Sequence, residues 1–142
     1  MYRKILIALD NGPADASMVP HVAELASHFG SALLLLHVAD GFAARAFDQL
    51  KLAESEEMKA DRDYLEKMAA GLRAKKLIVE TRLALGNPPT EILKIAKAEH
   101  CDLIALAGHG HRLFGDIFHG STITQVRHKT SIPLLIVRAP KK

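Results

Sequence analysis

Five apolar runs alternate with amphipathic stretches along the chain. Lys4 to Leu9 is apolar after its first residue and closes on Asp10, the pattern of a parallel strand covered on both faces. Asn11-Gly12-Pro13 signals a loop. Val19, Val22, Ala23, Ala26 and Phe29 then recur at helical spacing. Proline fits a first turn but not a helix interior, so Pro20 predicts a helix starting near Ala16 or Ser17, and Gly30 is its stop. Ala32 to Val38 is a second buried strand, and Gly41 to Gln49 is loop-like. Leu52 to Leu72 carries an apolar stripe of Met58, Leu65, Met68, Ala69 and Leu72, with its charges read as a solvated face. Leu77 to Leu85 alternates, Glu80 and Arg82 facing away from Val79, Thr81 and Leu83, which predicts a strand nearer the sheet edge. Gly86-Asn87-Pro88-Pro89 is a turn followed by a helix start, and Ile92, Leu93, Ile95 and Ala96 drive that helix against the sheet. Asp102 to Leu106 and Ile132 to Val137 are the last two strands, with a helix over Thr122 to Lys129 between them.

Five strands alternating with four helices predict an α/β fold, a doubly wound parallel sheet with helices on both faces. The 142 residues suit a single domain over 1–142, and an apolar content of 49% suits a globular one. Ligands in such sheets sit beyond the carboxyl ends of the strands, where the strand order reverses. Asp10 ends the first strand and a glycine-rich stretch follows the fourth. If those strands were neighbours, Asp10 and Gly108 to Gly110 would face one crevice.

Charge and composition narrow the partners. The net charge of +3 comes without any face-defining run of Lys or Arg, and there is no Trp, so neither a nucleic-acid footprint nor a base-stacking platform is expected. Cys101 is the only cysteine and reads as a small packing residue. The N-terminal apolar run is too short for a signal peptide and no window reaches membrane-spanning length, so a soluble cytoplasmic protein is expected.

The candidate chemistry lies in Ala107 to Ser121, AGHGHRLFGDIFHGS. Gly108, Gly110, Gly115 and Gly120 sit between a buried strand and the predicted helix start. Glycines let backbone N–H groups approach an anion closely, and the helix dipole favours negative charge there. On spacing alone, a turn that needs glycine only for its dihedrals accounts for the pattern equally well. His109, His111 and His119 invite a zinc reading, but only Asp116 accompanies them, and no metal site is assigned.

The set of motifs resembles the nucleotide-binding universal stress proteins. That family's loop runs Gly, two residues, Gly, nine residues, Gly, then Ser or Thr. Gly110, the nine residues His111 to His119, and Gly120-Ser121 match its second part, while Ala107 stands where the first glycine belongs. Asp10, Leu36-His37-Val38, Gly86-Asn87-Pro88, Ala98 to Ile104 and Ser131 to Val137 fit in order, so the resemblance covers nearly the whole chain.

The resemblance implies a Rossmann-like sheet of order 3-2-1-4-5 and a site for ATP, with magnesium held mainly by the phosphates and water. Ala8, Leu9 and Asp10 would lie by the nucleoside, and the Val38 backbone would meet the adenine edge. Leu106, Ala107, Gly108, His109 and Gly110 would pass along ribose and phosphates, with Arg112 near their oxygens. Gly120, Ser121 and Thr122 would cap the phosphates. A homodimer through Ile132 to Val137 is implied as well. Asp10 and Ser121 also have plain capping readings. The function expected is a stress-response signalling module that binds an adenine nucleotide. The alternatives are a weak ATPase and a stress protein that has lost nucleotide binding. An efficient phosphoryl-transfer site wants a lysine, metal-holding carboxylates and a positioned base, and this loop has no lysine. A receiver-type phosphorylation domain shares the alternation, but the third strand ends in Ala84-Leu85-Gly86 rather than a phosphoacceptor aspartate.

Overall fold

In the computed structural model, residues 1–39, 56–108 and 114–138 are described, with 114–121 described by backbone course alone. The elements in chain order are β1 (Lys4–Ala8), α1 (Asp15–Phe29), β2 (Ala32–Ala39), α2 (Glu56–Arg73), β3 (Val79–Leu85), α3 (Pro88–Ala98), β4 (Leu103–Gly108), α4 (Phe114–Lys129) and β5 (Leu134–Arg138). The strands form one sheet of order β3-β2-β1-β4-β5, and every pairing is parallel.

The continuous apolar runs are explained by their two-sided burial. Ile5, Ile7, Leu33, Leu35, Leu103 and Ala105 pack with Met18, Val22, Ala26, Leu65 and Ala69 of α1 and α2 on one face. Leu6, Leu34, Leu36, Ile104 and Leu106 pack with Ile92, Ile95 and Ala96 of α3 and Val126 of α4 on the other. Successive strand residues thus alternate between two cores. Cys101 belongs to the second core, and burial pushes its thiol up to about 11, which keeps it protonated and inert at neutral pH.

β3 is an edge strand, as its alternation predicts, but Glu80 and Arg82 are not merely solvated. Lys4 Nζ lies 3.4 Å from Glu80 Oε1 and 3.0 Å from Glu99 Oε1, and the Arg82 guanidinium lies 2.9 Å from Glu99 Oε2. These pairs tie the first strand, the edge strand and the end of α3 together at the amino end of the sheet. There the Asp102 carboxylate also accepts the Arg3 and Lys4 N–H groups, at 2.9 and 3.2 Å.

Two helix starts differ from expectation. α1 begins at Asp15, which places Pro20 inside the helix rather than in its first turn. Pro20 and Ala16, whose carbonyl loses its helical donor, both lie on the exposed face of the helix, while Met18, Val19 and Val22 hold it to the core. α4 begins at Phe114 rather than near Thr122. Gly115 and Gly120 fall inside this helix, and an interior glycine costs only about 1 kcal/mol against alanine, too little by itself to end a helix. Phe29, expected on the buried face of α1, is 42% exposed and instead meets the Tyr2 ring edge-on at 5.6 Å. The loop expected over Gly41 to Gln49 lies outside the described residues.

α3 has a complete start signal: the Asn87 side chain accepts from the Thr90 N–H at 3.2 Å, and Pro88 fills the first helical position. Asn87→Ala should cost about 1 kcal/mol and lower the melting temperature by roughly 3–5 °C in a thermal circular dichroism scan.

Candidate functional site

β1 stops short of both of its neighbours. Its last residue, Ala8, pairs with Leu36, yet β2 continues through His37, Val38 and Ala39. On the other side β4 continues past its pairing with β1 through Leu106, Ala107 and Gly108, still paired with β5. A notch therefore opens at the carboxyl edge of the sheet, at the point where the strand order reverses. It encloses about 160 Å³.

The lining of the notch is mostly apolar, with three polar side chains, Asp10, His37 and Thr122. Ala8, Leu36, Val38, Pro88, Ile92, Leu106, Ala107 and Ile123 supply the walls, and Leu9, Asp10, His37 and Thr122 complete it. The Leu36 carbonyl turns toward β1, where it accepts from the Leu9 N–H at 2.8 Å. Backbone groups of alternate residues in a strand face the same neighbour, so the Val38 N–H and C=O also face the β1 side, beyond its end. The notch thus offers a main-chain donor and acceptor side by side at one wall.

The turn that ends β1 is built on a buried carboxylate. Asp15 is fully buried. Its Oδ1 accepts the Asp10 N–H at 3.1 Å, and its Oδ2 accepts the Gly12 N–H at 3.3 Å and the Tyr64 hydroxyl at 2.9 Å. Asn11 between them takes a left-handed φ of 55°, a conformation asparagine tolerates better than most residues. Burial pushes the Asp15 carboxyl above its usual range, against the lowering effect of its hydrogen bonds to Asp10 and Tyr64. Burial and the Asp15 carboxylate push the Tyr64 hydroxyl upward too.

Of the residues expected to form a site, Ala8, Leu9, Asp10, Val38, Leu106, Ala107 and Thr122 come together around the notch. Gly108 ends β4 just outside it, beside β5, where a Cβ would come within 3.0 Å of the Ile136 side chain. His109, Gly110 and Arg112 lie outside the described residues, as does the Ser121 side chain. The backbones of Gly120 and Ser121 fall within α4, so the expectation that they open that helix is corrected. Their N–H groups point to helical carbonyls rather than ahead of a first turn. Among the described residues, no three of His, Cys, Asp and Glu converge to hold a metal ion, and no helix is long and apolar enough to cross a membrane.

Sequence reading passed over Asp15, Tyr64 and Asp61, taking the charges of α2 as solvated. The available signal was Tyr64, the only aromatic residue of α2, beside the apolar stripe with a hydroxyl to satisfy. His37 appeared only as a motif letter, yet it lines the notch.

Comparison with known proteins adds to this geometry. A family model described as the universal stress protein family matches residues 1–138. Universal stress protein MJ0577 of Methanocaldococcus jannaschii is 28% identical, over 97% of this chain and 96% of the relative. A solved structure described as that of hypothetical protein MJ0577 superposes with a TM-score of 0.82 at 26% identity, covering 100% of this chain and 99% of the other. A universal stress protein from Archaeoglobus fulgidus in complex with dAMP superposes with a TM-score of 0.68 at 20% identity, covering 96% and 98%. Another, in complex with cAMP, gives 0.69 at 16% identity, covering 96% and 97%. At these last two identities the likeness is one of fold.

The raised Asp15 carboxyl has a testable sign. A carboxyl whose folded value lies above its unfolded value takes up its proton earlier in the fold, so its charge costs stability at neutral pH and that cost is lost as pH falls. Relative to Asp15→Asn, the parent should therefore gain stability between pH 7 and pH 4 in denaturant melts. A shift in favour of the variant would show that the fold stabilises the charged carboxylate.

Proposed function

The chain belongs to the universal stress protein family, and on that footing we propose that it binds an adenine nucleotide, ATP in the first instance, in the notch beyond β1. In this reading it is a cytoplasmic, single-domain, homodimeric module of the stress response that responds to nucleotide rather than turning it over.

The observation that carries the reading is the shape of the notch. About 160 Å³ with apolar walls is smaller than the roughly 300 Å³ at which drug-sized pockets begin, so it suits a heterocyclic base and part of a sugar, not a triphosphate. A purine seated there meets side chains of Leu36, Pro88, Ile92 and Ile123 on its faces and the Val38 N–H and C=O at its edge. A main-chain edge of one donor and one acceptor matches the amino group and ring nitrogen of adenine. The Asp10 carboxylate accepts from ribose hydroxyls. The phosphates then run toward Thr122, with Gly108, His109, Gly110, Arg112 and the Ser121 hydroxyl as the proposed remainder of the site. Magnesium, where present, is held by phosphates and water. The fold-level likeness to stress proteins solved with dAMP and cAMP supports the same class of ligand.

Ala107, which stands in place of the first motif glycine, is compatible with binding. It is paired in β4 with Val137 and is not among the residues with positive φ, so its methyl group adds crowding but no backbone strain. The dimer reading rests on β5. It is an edge strand, and its Ile136 is 45% exposed, an apolar edge of the kind that invites pairing.

Three measurements follow. Titration calorimetry with ATP and magnesium should give saturable binding near one site per chain, and ATP at a hundredfold its dissociation constant should add about 2.7 kcal/mol of stability. No heat and no melting shift would overturn the reading. Ala107→Gly should tighten ATP binding by less than about tenfold; rescue from no binding to micromolar affinity would mark Ala107 as disabling. Light scattering should return twice the chain mass of 15.5 kDa, and Ile136→Lys should return 15.5 kDa itself. A parent that scatters as a monomer at all concentrations removes the dimer.

A further inference from the structure

The loop that ends β1 is held from behind by α2, and at two points. One is the Tyr64 hydroxyl on Asp15. The other is Asp61, one turn earlier on the same helix face. The Asn11 side-chain amide donates to Asp61 Oδ1 at 3.1 Å and to the Asp61 carbonyl at 3.3 Å. Asp61 Oδ2 lies 3.5 Å from His37 Nε2. His37 Nδ1 lies 2.9 Å from the Leu9 carbonyl, which can only accept, so this nitrogen carries a proton and donates. His37 thus holds Leu9 and Asp61 holds Asn11, on either side of Asp10, and the Asp61 carboxylate facing His37 closes the circuit as an ion pair when the imidazole is protonated on both nitrogens. Leu9, Asp10 and His37 also line the notch, whereas Asp61 and Tyr64 stand behind it.

From this arrangement we infer that α2 controls the notch. Asp61 and Tyr64 are positioning residues: they touch no ligand, but they fix Leu9 to Gly12 and so set where Asp10 and His37 stand. The inference rests on the nucleotide reading above and extends it to regulation of the same site. A nucleotide that contacts Asp10 and the end of β2 selects the loop arrangement that α2 also favours. The coupling must then run both ways, with α2 docking raising affinity and nucleotide tightening α2 on the loop.

Asp61→Ala removes both the side-chain acceptor for Asn11 and the carboxylate facing His37. Tyr64→Phe removes one of three donors from a buried carboxylate and leaves the ring. Each should weaken ATP binding in calorimetry by roughly tenfold, and Glu57→Gln, at an exposed position of the same helix, should not change it. Backbone hydrogen exchange supplies a readout that a purely structural role would not move: ATP should slow exchange across Glu56–Arg73 in the parent, and by less in the two variants. If the parent binds ATP but both variants bind equally well, or α2 exchange ignores ATP, the inference falls and the nucleotide reading stands. If the parent binds neither ATP nor dAMP, both fall. Should Tyr64→Phe fail to fold, the response of α2 in the parent and the affinity of Asp61→Ala decide.

Discussion

The buried Asp15 carboxylate is the interaction on which the site depends. By taking the N–H groups of Asp10 and Gly12, it turns the chain out of the sheet after Leu9, while both neighbouring strands run on. Without that turn β1 would continue and its main chain would pair with Val38 and Ala107, filling the space a ligand needs. An ionised carboxylate in a protein interior is costly unless its oxygens are fully engaged. Here three donors engage it, and one of them, the Tyr64 hydroxyl, comes from α2. The requirement to satisfy one charge thus couples the first loop to a helix about fifty residues later.

The rest of the fold supplies rigidity. The walls of the notch belong to strands buried on both faces and to α3, which is capped by Asn87. A site made mostly of main chain and packed apolar side chains requires little reorganisation when it is filled, and pre-formed sites keep more of their contact energy as affinity. The parallel crossovers also place the starts of all four helices at the same edge, so their positive dipole ends converge on the side where phosphates would lie.

Much of this was legible in the sequence, because the strongest signals were periodic. Continuous apolar runs gave the buried strands, the alternation from Leu77 gave the edge strand, and Gly86-Asn87-Pro88 gave the start of α3. The strand order followed from the family resemblance, not from the pattern, since periodicity carries no information about neighbours. What sequence reading missed was polar and long-range. Asp15 looks like any acid in a first helical turn, and Asp61 looks like any charge on a solvated face. Only the fold shows that one is fully buried and that the other faces His37 and Asn11. The start of α4 is hidden for a different reason: glycines at 115 and 120 look like loop residues, but each costs a helix only about 1 kcal/mol against alanine.

A nucleotide bound in the notch has to be told apart from one bound elsewhere on the surface. A second groove lies between α1 and α2, lined by Val19, Pro20, Lys67, Gly71 and Lys75 among others, and it is the natural competitor. Titrating ATP into isotopically labelled protein and following backbone amide resonances separates the two. A nucleotide in the notch should give the largest shifts at Leu9, Asp10, Val38 and Ala107, saturating together. Shifts concentrated at Val19, Lys67, Gly71 and Lys75, with the ends of β1, β2 and β4 unmoved, would contradict it.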